Sequence, residues 1–296
     1  MKLKYCIRSM RLRTLPLSLA GISMGMFLAA SHYLIDWRVA VTLIITTISL
    51  QILSNLSNEL GDALNGTDSA EERQGMHYSI MDGGLTYADM KKLIAGAAFA
   101  SMVAGLLMIL FSFGTLRDMR AVSFLCLGVM AIWAAMHYTL GSHPYGYRGL
   151  GDVSVFIFFG VATVLGGYLL CAHTVFSWLI LLPTAAIGCF SVGVLNVNNI
   201  RDMKTDAATR VTVALKLGLR GSRIYQTVLI ASGWVCMVAY SLTVSETSWW
   251  YLLTLPLFVL HLYGVWTRQE HELDGMLPLL VMSSLAFSLT AGVGML

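Results

Sequence analysis

Apolar residues in this chain run in stretches of about twenty, divided by polar breaks, and no stretch sustains an alternation of period two. Nine such stretches stand out, at roughly 15–35, 39–58, 92–113, 121–140, 152–172, 175–196, 224–243, 249–266 and 277–296. Twenty helical residues cover ~30 Å, the thickness of a bilayer's hydrocarbon, so each stretch predicts a membrane-spanning helix. The missing alternation argues against a membrane barrel. The predicted fold is all-α: a polytopic membrane protein of about nine transmembrane helices, forming one domain over 1–296. The breaks are unequal. Those at 36–38, 114–120, 173–174 and 244–248 are short, whereas about 59–91 and 197–223 are long and polar. Long loops in a helical bundle usually carry lids or binding residues.

Composition sharpens this picture. Hydrophobic residues make up 57% of the chain and only 12% are charged, with a mean hydropathy of +0.72, which excludes an ordinary soluble domain. Basic residues set the orientation. With the N-terminus in the cytoplasm, sixteen Lys and Arg fall on the cytoplasmic side and only Arg38, Arg117 and Arg120 on the other. The net charge of +3 mostly reflects this topology and makes no case for nucleic acid. The first apolar run follows five basic residues and lacks a small-residue cleavage site, so it reads as a retained span. The five cysteines are scattered without a C-x-x-C pair and read as buried small apolar residues, not as zinc ligands or disulfide partners.

Against this background two polar segments stand apart: Asn55-Leu-Ser-Asn58-Glu-Leu-Gly-Asp62 and Asn196-Val-Asn198-Asn199-Ile-Arg201-Asp202-Met-Lys-Thr-Asp206. Each closes an apolar stretch and leads into a long loop. Asn58 and Asp62 are four residues apart, as are Asn198 and Asp202 and then Asp206, a spacing that stacks side chains on one helix face. Ionisable groups at the mouth of a span are costly and are functional by default. One such cluster reads most simply as a helix cap; two with matched spacing on one membrane face read as halves of one oxygen-rich site for a hard cation such as Mg2+. Arg201, Lys204 and Arg210 interleave with the second cluster, within reach of phosphate oxygens. Carboxylates for metal beside cations for phosphate point to a diphosphate leaving group. The repeated motif also suggests a weak internal duplication, with spans 1–2 corresponding to 5–6.

A third polar island, Tyr138 to Asp152, offers three tyrosines and a carboxylate suited to an aromatic acceptor, although Asp152 also stands where a helix cap would. Gly21, Gly25, Gly160, Gly166 and Gly167 read as close-packing positions between helices. A cation-coupled transporter is the other class that uses such residues, but its sites lie near the bilayer midplane; these clusters lie at the ends of spans 2 and 6.

Several segments are similar to intramembrane aromatic prenyltransferases of the UbiA type: Arg11-Leu-Arg13-Thr14-Leu-Pro16, Gln51 to Asp62 with Gly66 and Asp68, Tyr138-Thr-Leu-Gly, and Leu195 to Asp202 with Asp206. Pro144-Tyr-Gly-Tyr-Arg-Gly-Leu-Gly-Asp152 most resembles the branch acting on 1,4-dihydroxy-2-naphthoate. The resemblance covers residues 11 to about 220. It implies nine helices around a central cavity, with Mg2+ and diphosphate held by Asn58, Asp62, Asp202 and Asp206, and Asp68 as a fifth member. Substrate contacts are expected from Arg13, Arg73, Tyr138, Tyr145, Asp152, Asn198, Arg201 and Lys204. The implied reaction moves a polyprenyl group from polyprenyl diphosphate to 1,4-dihydroxy-2-naphthoate with loss of CO2 and diphosphate, giving demethylmenaquinol at a bacterial inner membrane. An acceptor such as 4-hydroxybenzoate or homogentisate stays open. Glu59 stands where relatives commonly carry Asp, and Ser142 and His143 stand where 4-hydroxybenzoate relatives carry a Lys/Arg pair. That second difference shifts phosphate contacts to Arg201, Lys204 or Arg73.

Overall fold

Nine helical segments long and apolar enough to span a membrane run through the described residues, in the order the apolar stretches predict. They are α1 (Leu3–Ala30), α2 (Trp37–Leu64), α3 (Tyr87–Phe113), α4 (Met119–His137), α5 (Gly151–Ala172), α6 (Trp178–Arg201), α7 (Val213–Thr243), α8 (Trp250–Thr267) and α9 (Glu270–Val293). The computed structural model describes residues 3–65, 79–80, 82–172, 178–244 and 247–296. The chain is a multi-pass membrane protein, and among its described residues no strand forms. Asp68 and Arg73, expected at the site, lie outside the described residues.

Several helices run further than hydropathy predicts, because polar extensions of a span lower the apolar average without ending the helix. Helix α2 continues to Leu64 and α6 to Arg201, so Asp62 and Asn198 lie on helices and not in the loops after them. Helix α3 begins at Tyr87 behind a capping box in which Thr86 and Asp89 satisfy each other's backbone. The largest shift is at α7, which starts at Val213 where the apolar signal begins at 224. Thr212 caps it by accepting from Leu215 N at 3.1 Å. This polar first section joins the apolar span through a kink at Gly218, whose φ of +68° favours glycine. The expected long loop 197–223 is therefore mostly helical, including a short helix over Met203–Asp206.

Helix α6 packs along α7, α2 along α3, and α9 along α1. An aromatic cluster welds the second half together: Phe190 of α6 lies 4.7 Å from Phe258 of α8 and 5.1 Å from Phe287 of α9, while Trp234 of α7 lies 5.4 Å from Phe258. Three of the packing glycines act as expected. A Cβ on Gly21 or Gly25 of α1 would overlap Thr163 or the Val164 carbonyl of α5, and one on Gly160 would come within 2.7 Å of Gly188 Cα on α6. Gly166 and Gly167 face looser surroundings. Helix α5 runs as a π-helix over Phe156–Leu165, a form that recurs at functional sites. Large apolar side chains such as Phe99, Trp133 and Val235 stay exposed on the outer faces, as a lipid-facing surface requires. Of the cysteines, Cys6 and Cys171 are buried, but Cys126 is exposed on α4, contrary to its reading as a core residue; hydropathy does not distinguish lipid-facing from core positions.

Candidate active site

Asn58 and Asp62 face the connection between α4 and α5. Thr139 fixes the approach: its Oγ1 donates to Ser57 O at 2.9 Å and to Asn58 Oδ1 at 3.2 Å. Gly61 makes room for it, since a Cβ there would fall 2.5 Å from the Thr139 side chain. Asp62 Oδ1 accepts from the Tyr147 hydroxyl at 2.7 Å and from Arg210 Nη2 at 3.2 Å. Glu59 points elsewhere. Buried on the other side of α2, it accepts from Ser79 N at 2.7 Å and Ile80 N at 3.3 Å, and so fixes the chain where it returns toward α3. The glutamate reaches a backbone that the shorter aspartate side chain would not.

At the end of α6, Asp202 terminates the helix and holds Arg201 along one edge, Nε to Oδ1 at 2.8 Å and Nη2 to Oδ2 at 2.7 Å. Arg201 Nη2 also donates to Asn198 Oδ1 at 2.9 Å. One turn on, Asp206 accepts from Arg210 Nε at 3.0 Å. Arg210 thus joins Asp62 to Asp206 across 148 and 4 residues of sequence. Its guanidinium lies 4.9 Å from the centre of the Tyr147 ring. Burial works against its charge, but Asp62 and Asp206 outweigh burial and raise its pKa.

The tyrosine island frames this bridge. Val211 N donates to Tyr147 O at 2.9 Å, which docks the segment after Asp206 onto the island. Tyr138 fits between Gly146 and Gly151, where any Cβ would strike its ring or hydroxyl. Tyr145 meets Tyr138 edge-on at 5.3 Å and donates to Ala134 O at 2.9 Å; burial raises its pKa, so it stays a neutral donor. Asp152 is the second residue of α5 and not its cap; Leu150 holds that place. Its partner is the Tyr225 hydroxyl of α7, at 2.9 Å.

Two cavities meet here. A polar one of about 210 Å3 is lined by Arg11, Arg13, Asn58, Asp62, Tyr138, Asp152, Asn198, Arg201 and Arg210 among others. An apolar one of about 330 Å3 runs between α2, α3, α4 and α5. Gln51, Asn58, Tyr138, Val155, Phe159 and Leu195 belong to both walls; Val155 and Phe159 come from α5 at and just before its π-helical section. Tyr145 lies on the apolar cavity. Asp202 and Asp206 lie behind Arg201 and Arg210, not on the cavity wall. Lys204 is exposed and lines neither cavity.

Sequence reading missed two residues as site members, Arg11 and Asp274. Arg210 and Tyr147 were visible in their motifs, but only the fold pairs them with Asp62. Arg11 has a φ of +47°, the one positive φ at a non-glycine among the described residues, held by Asn55 of α2, which donates to Met10 O at 2.9 Å. Asp274 lies outside every motif. Its Oδ1 accepts from Arg201 Nη1 at 2.7 Å, and its Oδ2 from Arg13 Nη1 at 3.5 Å.

The donors suit a hard cation. Asn58, Asp62, Asn198, Asp202 and Asp206 offer oxygen alone, and the three carboxylates are buried. Among the described residues no three acidic, His or Cys side chains converge on one point. Mg2+ asks for only one or two carboxylates and completes its shell with water and substrate phosphate.

Residues 18–275 match the UbiA prenyltransferase family. The chain belongs to that family. It is 37% identical to the 1,4-dihydroxy-2-naphthoate octaprenyltransferase of Haemophilus influenzae over 100% of this chain and 96% of that protein. It is 39% identical to the Escherichia coli K12 protein of the same name, over 86% and 82%. The apo structure of a UbiA homologue from Aeropyrum pernix K1 matches with a TM-score of 0.64 over 96% of this chain and 98% of that one. At 16% identity this likeness is one of fold. Proteins of the UbiA family are generally divalent-metal dependent, in keeping with the oxygen-only donors.

Proposed function

We propose that the chain transfers a polyprenyl group from polyprenyl diphosphate to 1,4-dihydroxy-2-naphthoate, releasing CO2 and diphosphate and giving demethylmenaquinol. The junction of a polar cavity with an apolar one carries this reading. A donor with an anionic head and an apolar tail needs both, and its reacting carbon then falls at the shared wall of Asn58, Tyr138 and Phe159. The acceptor is taken from the relatives named for this substrate. The site opens to the cytoplasm in this proposal, supported by the sixteen-to-three distribution of basic residues.

Asn58, Asp62, Asn198, Asp202 and Asp206 would hold Mg2+, which when bound supplies positive charge to the diphosphate oxygens. The chain's own residues do the rest. Arg11, Arg13, Arg201 and Arg210 bring cationic groups to the same cavity and stabilise charge developing on the leaving diphosphate. The allylic C–O bond breaks with its electron pair going to that oxygen. The Tyr138 ring, on both cavity walls, faces the carbon that becomes electron-poor. The electron-rich naphthoate ring then forms the new C–C bond, and its carboxylate leaves as CO2. Because CO2 departs in place of a ring proton, the balanced step frees no proton and asks for no net base.

The test is diphosphate release by purified, detergent-solubilised protein given Mg2+, a long-chain polyprenyl diphosphate and 1,4-dihydroxy-2-naphthoate. A decarboxylated prenylated product, with release abolished by EDTA and restored by Mg2+, is the expected result. Release only with 4-hydroxybenzoate or homogentisate would overturn the acceptor. No release with any aromatic, from folded protein, would overturn the enzyme reading.

A further inference from the structure

Arg13 and Arg201 reach the polar cavity from segments far apart in the chain, and one carboxylate outside that cavity touches both. Asp274 stands in the 3-10 turn Glu270–Gly275 that opens α9. Its two oxygens divide between Arg201 at 2.7 Å and Arg13 at 3.5 Å. Both arginines line the cavity and Asp274 does not. With Asp202 and Asn198 on the Nε and Nη2 edge of Arg201, and Asp274 on Nη1, the guanidinium is held along two edges. Removing Asp274 frees one edge and leaves two like charges facing the same space.

Resting on the function proposed above, we propose that Asp274 is a positioning residue. It aims Arg13 and Arg201 at the anionic group bound in the polar cavity, either the donor's diphosphate or the acceptor's carboxylate. Its own ion pairs contribute little stability, since its side chain is 41% exposed. The effect therefore belongs in binding, and its sign is diagnostic. A carboxylate that only adds negative field beside an anion site weakens binding, so removing it tightens binding. A carboxylate that orients a fork of donors strengthens binding, so removing it weakens binding.

The experiment compares the full-length, detergent-solubilised chain with Asp274→Asn and Asp274→Glu, measuring kcat and the KM of each substrate. Asp274→Asn is expected to raise one KM about tenfold with kcat within about twofold, and Asp274→Glu to recover most of the loss. A rise confined to polyprenyl diphosphate assigns the anion as diphosphate; a rise confined to 1,4-dihydroxy-2-naphthoate assigns it as carboxylate. Unchanged or lowered KM for both substrates overturns the proposal, as does a fall in kcat that tracks the folded fraction. Calorimetric binding of inorganic pyrophosphate and of 1,4-dihydroxy-2-naphthoate separates the two layers of inference. If the wild type shows no transfer, the functional reading fails. An about tenfold weakening of either probe in Asp274→Asn then still supports the positioning role, and unchanged binding of both overturns it.

Discussion

Asn58 and Asp62 stand on an uninterrupted helix whose segment 55–65 contains no basic residue, whereas Asn198, Asp202 and Asp206 stand where α6 ends, breaks and restarts, beside Arg201 and Arg210. The same four-residue spacing thus serves two constructions. The second half is locally neutralised: Asp202 holds its neighbour Arg201, and Asp206 holds Arg210 one turn on. The first half borrows its cation from the second through Arg210, and its hydrogen-bond donors from the tyrosine island through Tyr147 and Thr139. A repeated motif therefore does not mean a repeated environment. The first half depends on the rest of the fold, and the second on its own neighbours.

Substitutions at five positions probe that difference. Asp62→Ala and Asp202→Ala remove a carboxylate from each half, and each is expected to lower prenyl transfer by on the order of 10²–10³-fold. Equal losses, read as kcat in the diphosphate-release assay, would show that both halves serve one site; a normal rate in either variant would break the pairing. Arg210→Met comes next, with an expected loss of roughly 10–100-fold. A double-mutant cycle with Asp62 should be far from additive, because the two touch. Additive effects would mean that the bridge between the halves does not operate in the working enzyme.

Gly61→Ala tests the dependence of the first half on its surroundings. The new methyl would meet Thr139 at 2.5 Å, so a loss of about 1–3 kcal/mol is expected in detergent unfolding curves. Gly166 and Gly167, whose nearest neighbours would stand 3.8 and 3.6 Å from an added Cβ, make no comparable demand. The smallest effect should come from Tyr147→Phe, which removes one hydrogen bond to Asp62 and keeps the ring under Arg210. A loss of about five- to tenfold in kcat/KM is expected. If Tyr147→Leu behaves the same as Tyr147→Phe, the ring beneath Arg210 contributes nothing.

How far the site could be read from the chain follows the same division. Asn58 with Asp62, and Asn198 with Asp202, were legible because a helix has a fixed period and an apolar span makes polar residues conspicuous. Arg201 beside Asp202 is a neighbour pair, open to sequence reading. Arg210 with Asp62, separated by 148 residues, is not. Asp152 read as either a cap or an acceptor contact, and only the fold supplied Tyr225 of α7 as its partner. The start of α7 was hidden because Lys216, Arg220 and Arg223 lower its hydropathy, while its cap at Thr212 sits in a segment that reads as loop.

By itself, the sequence determined the nine spans, their order and the oxygen-rich character of two helix ends. These follow from properties that a short window of chain carries whole: apolar transfer energy, helical period and side-chain chemistry. The tertiary structure alone decided which cation neutralises which carboxylate, that Tyr147 faces Asp62, that Glu59 turns away to hold Ser79 and Ile80, and that Asp274 joins Arg13 to Arg201. Those facts depend on a few ångströms between residues far apart in the chain, and hydrogen bonds and ion pairs at a partly dry cavity weaken steeply over such distances.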